Sequence, residues 1–188
     1  MTSINSANDA SLSPFQAITD PRNNDHPVPE VARYLASIGV SVMPVNISTK
    51  KPRLDSWKAL QTEAASPERV KDWYRQWPNA GLAVVTGELN GICVLDLDVG
   101  DGDEPSGWES LQETDFVLPS SASPTPIVKT PSGGYHLYYP FSSDLPQGAR
   151  IWELHHVDGR AEGGYVIAPP STGYLWVPRF GAPEVDQE

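Results

Sequence analysis

Five residues in the middle of the chain, Val94-Leu95-Asp96-Leu97-Asp98, constrain its architecture more than any other stretch. They read as a strand, in which successive side chains point to opposite faces, so Leu95 and Leu97 share one face and Asp96 and Asp98 the other. The leucine face must enter a core. The carboxylate face then holds two like charges side by side, an arrangement that calls for a compensating cation, and paired aspartates at a strand end are a common way to hold one or two divalent metals over a phosphate. A calcium loop of the EF-hand kind counted from Asp96 would need glycine sixth and glutamate twelfth, where Asp101 and Gly107 stand, so that reading fails. The acidic run Asp101, Asp103, Glu104 has the character of a solvated loop.

Two polar clusters follow downstream. Ser132-Gly133-Gly134-Tyr135-His136 leads from a turn into an aromatic strand that carries His136 and Tyr138 on one face. Lys129, Thr130 and Ser132 precede the histidine, and two glycines allow close backbone approach to an anion, although a tight turn explains them equally well. The last cluster sets Asp158 and Arg160 ahead of Gly163-Gly164 and a strand, Tyr165 to Ala168, stopped by Pro169-Pro170. Taken singly, an Asp-x-Asp in a turn, a structural histidine in a strand and a surface Asp-Arg pair are ordinary readings of these three elements.

In order and content the three clusters resemble the motifs of the bifunctional DNA primase/polymerase (prim-pol) domain of the archaeo-eukaryotic primase superfamily: Val94 to Asp98, Ser132 to His136, and Asp158 to Ser171. The upstream pattern is similar as well, with Ala36 to Gly39, Met43-Pro44-Val45, Lys50-Lys51-Pro52, Trp57, Trp73, Trp77 and Ala83 to Gly87, so the resemblance runs from about residue 30 to 178. It implies an α+β fold, with an RNA-recognition-motif-like catalytic sheet and an N-terminal α/β portion packed on it. The activity implied is template-directed nucleotidyl transfer, making or extending primers on single-stranded DNA in plasmid or phage replication, with NTP or dNTP as substrate. Asp96, Asp98 and Asp158 are the implied ligands of two Mg²⁺ or Mn²⁺ ions, and His136 is implied as a catalytic phosphate holder helped by Lys129, Ser132 and Arg160. A helicase domain in the same full-length chain is the implied partner. A non-catalytic nucleic-acid-binding module of a replication initiator is the alternative from another class, and a metal-dependent nuclease a third that leaves Ser-Gly-Gly-x-His unexplained.

Two departures from the family pattern stand out. Some relatives carry a zinc-binding stem, but the only cysteine here is Cys93, inside an apolar strand, so it reads as a small core residue and no zinc is expected. The position between Asp158 and Arg160, often branched and apolar in relatives, is Gly159.

A length of 188 residues with 39% hydrophobic content suits one domain with one core. No stretch is long and apolar enough to span a bilayer and no secretory pattern opens the chain, so a cytoplasmic protein is expected. The net charge of −11 runs against nucleic-acid binding, yet its distribution is uneven: Glu88 to Asp115 holds no Lys or Arg, whereas Lys50, Lys51, Arg53, Lys58, Arg69, Lys71 and Arg75 cluster upstream. Lys50, Lys51 and Arg53 are the expected template contacts; a solvated surface explains them as well.

Along the chain, residues 1–27 are expected as a mobile leader, 28–180 as the catalytic domain and 181–188 as a tail linking to further domains of a longer protein. Helices are predicted at Pro29 to Ile38, from Pro67 to about Trp77, and at Trp108 to Thr114; Pro119 to Pro126 reads as a loop. Strands are predicted at Val40 to Val45, Leu82 to Val85, Gly91 to Leu97, Ile127 to Lys129, His136 to Tyr139, Tyr165 to Ala168 and Tyr174 to Val177, forming one mixed sheet.

Overall fold

The computed structural model describes residues 12–119 and 125–177. The chain begins with α1 (Pro14–Ile18), α2 (Val28–Ser37) and β1 (Val42–Val45), then α3 (Pro67–Gln76), β2 (Gly81–Val85), β3 (Ile92–Leu97) and α4 (Gly107–Gln112). Five strands follow: β4 (Ile127–Lys129), β5 (Tyr135–Pro140), β6 (Val157–Arg160), β7 (Tyr165–Ala168) and β8 (Leu175–Trp176). Short 3-10 turns lie at Pro21–Asp25, Lys58–Gln61 and Ile151–Glu153. The class is α+β, as expected.

The single mixed sheet is corrected. The strands form two sheets, β1-β2-β7 and β6-β3-β5-β4-β8, with every pairing antiparallel. The connection between β2 and β3 explains the split. Buried Asn90 accepts from Ser41 N at 2.7 Å and donates to the carbonyls of Ser41 (2.9 Å) and Val85 (2.7 Å), so the turn closes on the β1 side. An unpaired buried amide would cost about 1–3 kcal/mol, and here both its ends are satisfied.

The helices follow local signals. Ser66 Oγ accepts from Arg69 N at 3.2 Å, Pro67 occupies the first turn, and Val70, Trp73 and Tyr74 are buried along one side of α3. In α2 the buried face is Val31, Ala32, Leu35 and Ala36, and Gly39 follows at φ +84°, a left-handed position that glycine adopts without strain. Trp73 and Cys93 are core residues, as read from the sequence.

The expected leader needs correction for its second half. Ala17 and Ile18 of α1 are buried in the main core, and Asn23 donates to the carbonyls of Ala17 (3.0 Å) and Ile18 (3.3 Å). Asn24 exchanges two hydrogen bonds with the backbone of Trp176 in β8, at 3.3 and 3.1 Å. A polar, proline-rich composition hid these anchors, because two apolar residues and two amides suffice to stitch the segment down. Residues 1–11, the expected tail at 181–188 and residues 120–124 of the expected loop lie outside the described residues.

β3 is the common wall of two cores. Ile92 and Val94 face the larger one with Val128, Tyr138 and Trp176, while Leu95 and Leu97 face a second with Trp108, Leu111, Ile127, Leu137 and Val157. Leu95 and Leu97 are 1% exposed, and full burial of each contributes about 1.5–3 kcal/mol. The strand is thereby held from both sides, and Asp96 stands on the face where the larger core gives way to a cleft.

Candidate active site

Register brings the three sequence clusters together. Across β3 and β5, Asp96 lies opposite His136; across β3 and β6 it lies opposite Asp158, with Arg160 opposite Val94. Directly opposed residues of an antiparallel pair share a face, so Asp96, His136, Asp158 and Arg160 project from one side of the sheet. Asp98 follows one residue beyond β3. β6 is a strand that the sequence does not announce, since Val-Asp-Gly-Arg carries little β-propensity.

These groups border a cleft of about 350 Å³ between the two sheets. One wall presents Asp96, Asp98, Thr130, Ser132, His136 and Arg160; the other presents Lys50, Trp57 and Tyr165. Asp158 lies beside this lining, bound by its neighbours.

Electrostatics divide the three acids. Arg160 Nη2 bridges Asp96 Oδ2 at 2.9 Å and Asp158 Oδ2 at 3.0 Å, and the amide of Arg150 donates to Asp158 Oδ1 at 3.0 Å. His136 Nε2 lies 3.2 Å from Asp96 Oδ1. A carboxylate only accepts, so Nε2 carries the proton in this contact. Burial alone would raise the Asp96 pKa, but His136 and Arg160 together hold it well below the usual carboxylate range. Asp98 goes the other way: burial, then the charge of Asp96, raise its pKa, with Lys50 partly opposing them.

Several sequence expectations change here. His136 is largely buried in the cleft wall, with Nε2 committed to Asp96 and Nδ1 without a partner, so the hydrogen bond it makes in this structure is to the acid. Lys129 is corrected outright: it pairs in register with Tyr135, one residue off the Val128–His136 pair, and therefore points from the opposite face of the sheet. Thr130 takes the place beside the cleft, its hydroxyl 3.1 Å from that of Ser132. Lys50 lines the cleft, whereas Lys51 and Arg53 are exposed outside it. The residues that sequence reasoning missed, Trp57, Gln147, Tyr165 and Tyr174, come from loops and strand ends with no local chemical signature.

The glycines have specific neighbours. A Cβ on Gly134 would sit 2.2 Å from the carbonyl oxygen of Leu97, and one on Gly159 would sit 2.0 Å from that of Pro146. The close approach that Gly134 permits is thus to the backbone of β3. Gly159 lets the loop before β6 bond to it through Gly148, at 2.8 and 3.0 Å, which accounts for the loss of the branched residue.

Whether the acids suit a metal can be judged from their chemistry. Among the described residues no group of three or more His, Cys, Asp and Glu is already arranged to hold an ion; the Arg160 guanidinium serves as the cation between Asp96 and Asp158. Three carboxylates are nevertheless hard oxygen donors of the kind Mg²⁺ and Mn²⁺ take, and the raised Asp98 marks a place short of positive charge. The donor set fits. Among the described residues no helix is long and apolar enough to cross a membrane.

A family model described as "Bifunctional DNA primase/polymerase, N-terminal" matches residues 32–185. No curated protein matches the chain.

Proposed function

The chain belongs to the bifunctional DNA primase/polymerase family, and we propose that it is a metal-dependent nucleotidyltransferase that makes or extends primers on single-stranded DNA in plasmid or phage replication. The observation that carries this reading is the convergence of Asp96, Asp98, His136 and Arg160 on one wall of a single cleft, with Asp158 bound behind them. Two divalent ions held by Asp96, Asp98 and Asp158 would supply charge neutralisation at the phosphates and a lowered pKa of the primer hydroxyl. The chain's own residues hold that site in shape. His136 fixes the orientation of Asp96, and Arg160 neutralises Asp96 and Asp158 until a competing cation arrives. Ser132 and Thr130 offer hydroxyls to an anion in the cleft. The rate gain then comes from alignment and preorganised charge, with little covalent work for the protein. Exposed Lys51 and Arg53 are the proposed template contacts.

The test is a gel assay with labelled primer annealed to a longer template, with and without dNTPs or NTPs, in Mg²⁺ or Mn²⁺. Nucleotide-dependent lengthening is expected. Shortening would make it a nuclease, and template binding without lengthening a non-catalytic module.

A further inference from the structure

The cleft wall that carries the acids repels the substrate it is proposed to serve. A nucleoside triphosphate brings several negative charges to a surface that already holds Asp96 and Asp98, so a cation must meet it from elsewhere. Among the described residues two basic side chains line the cleft, those of Arg160 and Lys50. Arg160 is spent on Asp96 and Asp158. Lys129, on the far face of the sheet, contributes nothing.

Lys50 comes from the other side of the cleft, in the loop after β1 and one residue before its closing pair. The loop is tied at its root: Asn46 N donates to the Lys51 carbonyl at 2.8 Å, and Ser48 N and Thr49 N donate to Asn46 Oδ1 at 3.0 and 3.3 Å. Beside this root, Tyr165 Oη donates to the Lys50 carbonyl at 3.1 Å, and the Tyr165 ring stands edge-on to Trp57 with centroids 5.2 Å apart. Lys50 itself sits at φ 57°, the left-handed region that a non-glycine residue occupies at some cost and that collects at binding sites. Its ammonium has no ion pair or hydrogen bond among the described residues, so an exposed positive charge lines the cleft, felt by Asp98 but not paired with it. A volume of about 350 Å³ falls within the roughly 300–1,000 Å³ of small-ligand sites.

We infer that Lys50 holds the phosphates of the incoming nucleoside triphosphate, facing Asp98 across the cleft, and that Tyr165 is the positioning residue that fixes the Lys50 backbone. The inference rests on the nucleotidyl-transfer reading and moves Lys50 from the template to the nucleotide. A lysine suits this task as a compact point charge. The two halves of the site then come from different sheets, acids from one and the phosphate cation from the other.

Calorimetric titration of the full chain with dATP and with dAMP, in Mg²⁺, reads the contact without turnover. Lys50→Ala is expected to weaken dATP by about tenfold or more while dAMP changes little. Lys50→Gly, which suits the left-handed backbone, should show the same loss and so separates charge from loop distortion. Lys50→Arg should recover part of it, Tyr165→Phe should lose part of it, and Arg33→Ala on the exposed side of α2 should match the wild type. In extension assays the loss should appear in KM for the nucleotide. A Lys50→Gly variant with the wild-type dATP-to-dAMP affinity ratio overturns the inference even where the wild type extends primers. A wild type that neither binds dATP nor extends primers overturns the functional reading and this inference with it.

Discussion

At the scale of single residues, Asp96 and Asp98 are neighbours with opposite titration behaviour, and stability against pH should separate them. Asp96 has a depressed pKa, so its ionised form contributes stability that is present above about 3.9 and is lost as pH falls toward the folded value. Asp98 has a raised pKa, so ionisation costs stability as pH climbs through that same reference and beyond. Thermal melts from pH 3 to 7 should therefore show Asp96→Asn destabilised most at the neutral end and Asp98→Asn as stable as the wild type or more so there. Both should lose nucleotide incorporation. An Asp98→Asn protein that is less stable at pH 7 would contradict the assignment of a carboxylate penalised by burial and then by the charge of Asp96. For His136 the buried hydrogen bond to the Asp96 carboxylate sets the expectation: His136→Ala should lower stability by about 1.5–3 kcal/mol and reduce kcat beyond the loss of folded protein. Nucleotide KM should hardly move if the ring acts through Asp96; a large rise in KM at unchanged kcat would mean that it touches the phosphates.

At the scale of elements, legibility followed locality. α3 announced itself through Ser66, Pro67 and the spacing of Val70 and Trp73, all signals carried within one helix. Strand parity alone placed Asp96 and Asp98 on one face, but it was the order of three motifs, resembling those of one family, that singled out Asp96, Asp98 and His136 as site candidates. β6 was not, since its identity as a strand comes from pairing with β3, more than fifty positions earlier, and its Asp-Gly-Arg has no apolar alternation. Lys129 shows the same limit: a single step of register decides which face it takes. Gly159 gives the element-scale prediction. Gly159→Val should destabilise by about 3 kcal/mol, because the new side chain meets the Pro146 carbonyl and forces the 146–150 loop off β6. Arg150 N and Gln147 would leave Asp158 and the cleft with it, so activity should fall more than urea stability alone accounts for. A Gly159→Val protein with wild-type melting behaviour would show that this approach is not required.

At the scale of the whole molecule, an acidic protein is proposed to hold a polyanion, and salt should expose how few contacts do so. Single-stranded DNA affinity should fall with a shallow log–log slope, and Lys51→Ala/Arg53→Ala should reduce that slope by about 1.4 if both residues touch phosphates. An unchanged slope would remove them from the template path. The N-terminal segment gives a second prediction at this scale. Removing residues 1–27 deletes the buried Ala17 and Ile18 and the Asn24 link to β8, so the melting temperature should drop clearly, whereas removal of 1–11 tests the remainder of the leader by comparison. Equal melting for the shorter truncation and for the longer one would mean that the stitched segment adds nothing.

The strand order also bears on how this protein is made. β2 waits for β7, and β3 waits for β6, each partner lying far toward the C-terminus. At roughly 5–20 residues per second on the ribosome, the growing chain spends several seconds with an open edge on each of these two buried strands. A nascent chain halted between Leu97 and Val157 would present both edges to whatever protein meets it first, which makes holding chaperones and translation speed across this interval part of how much of the protein a cell obtains.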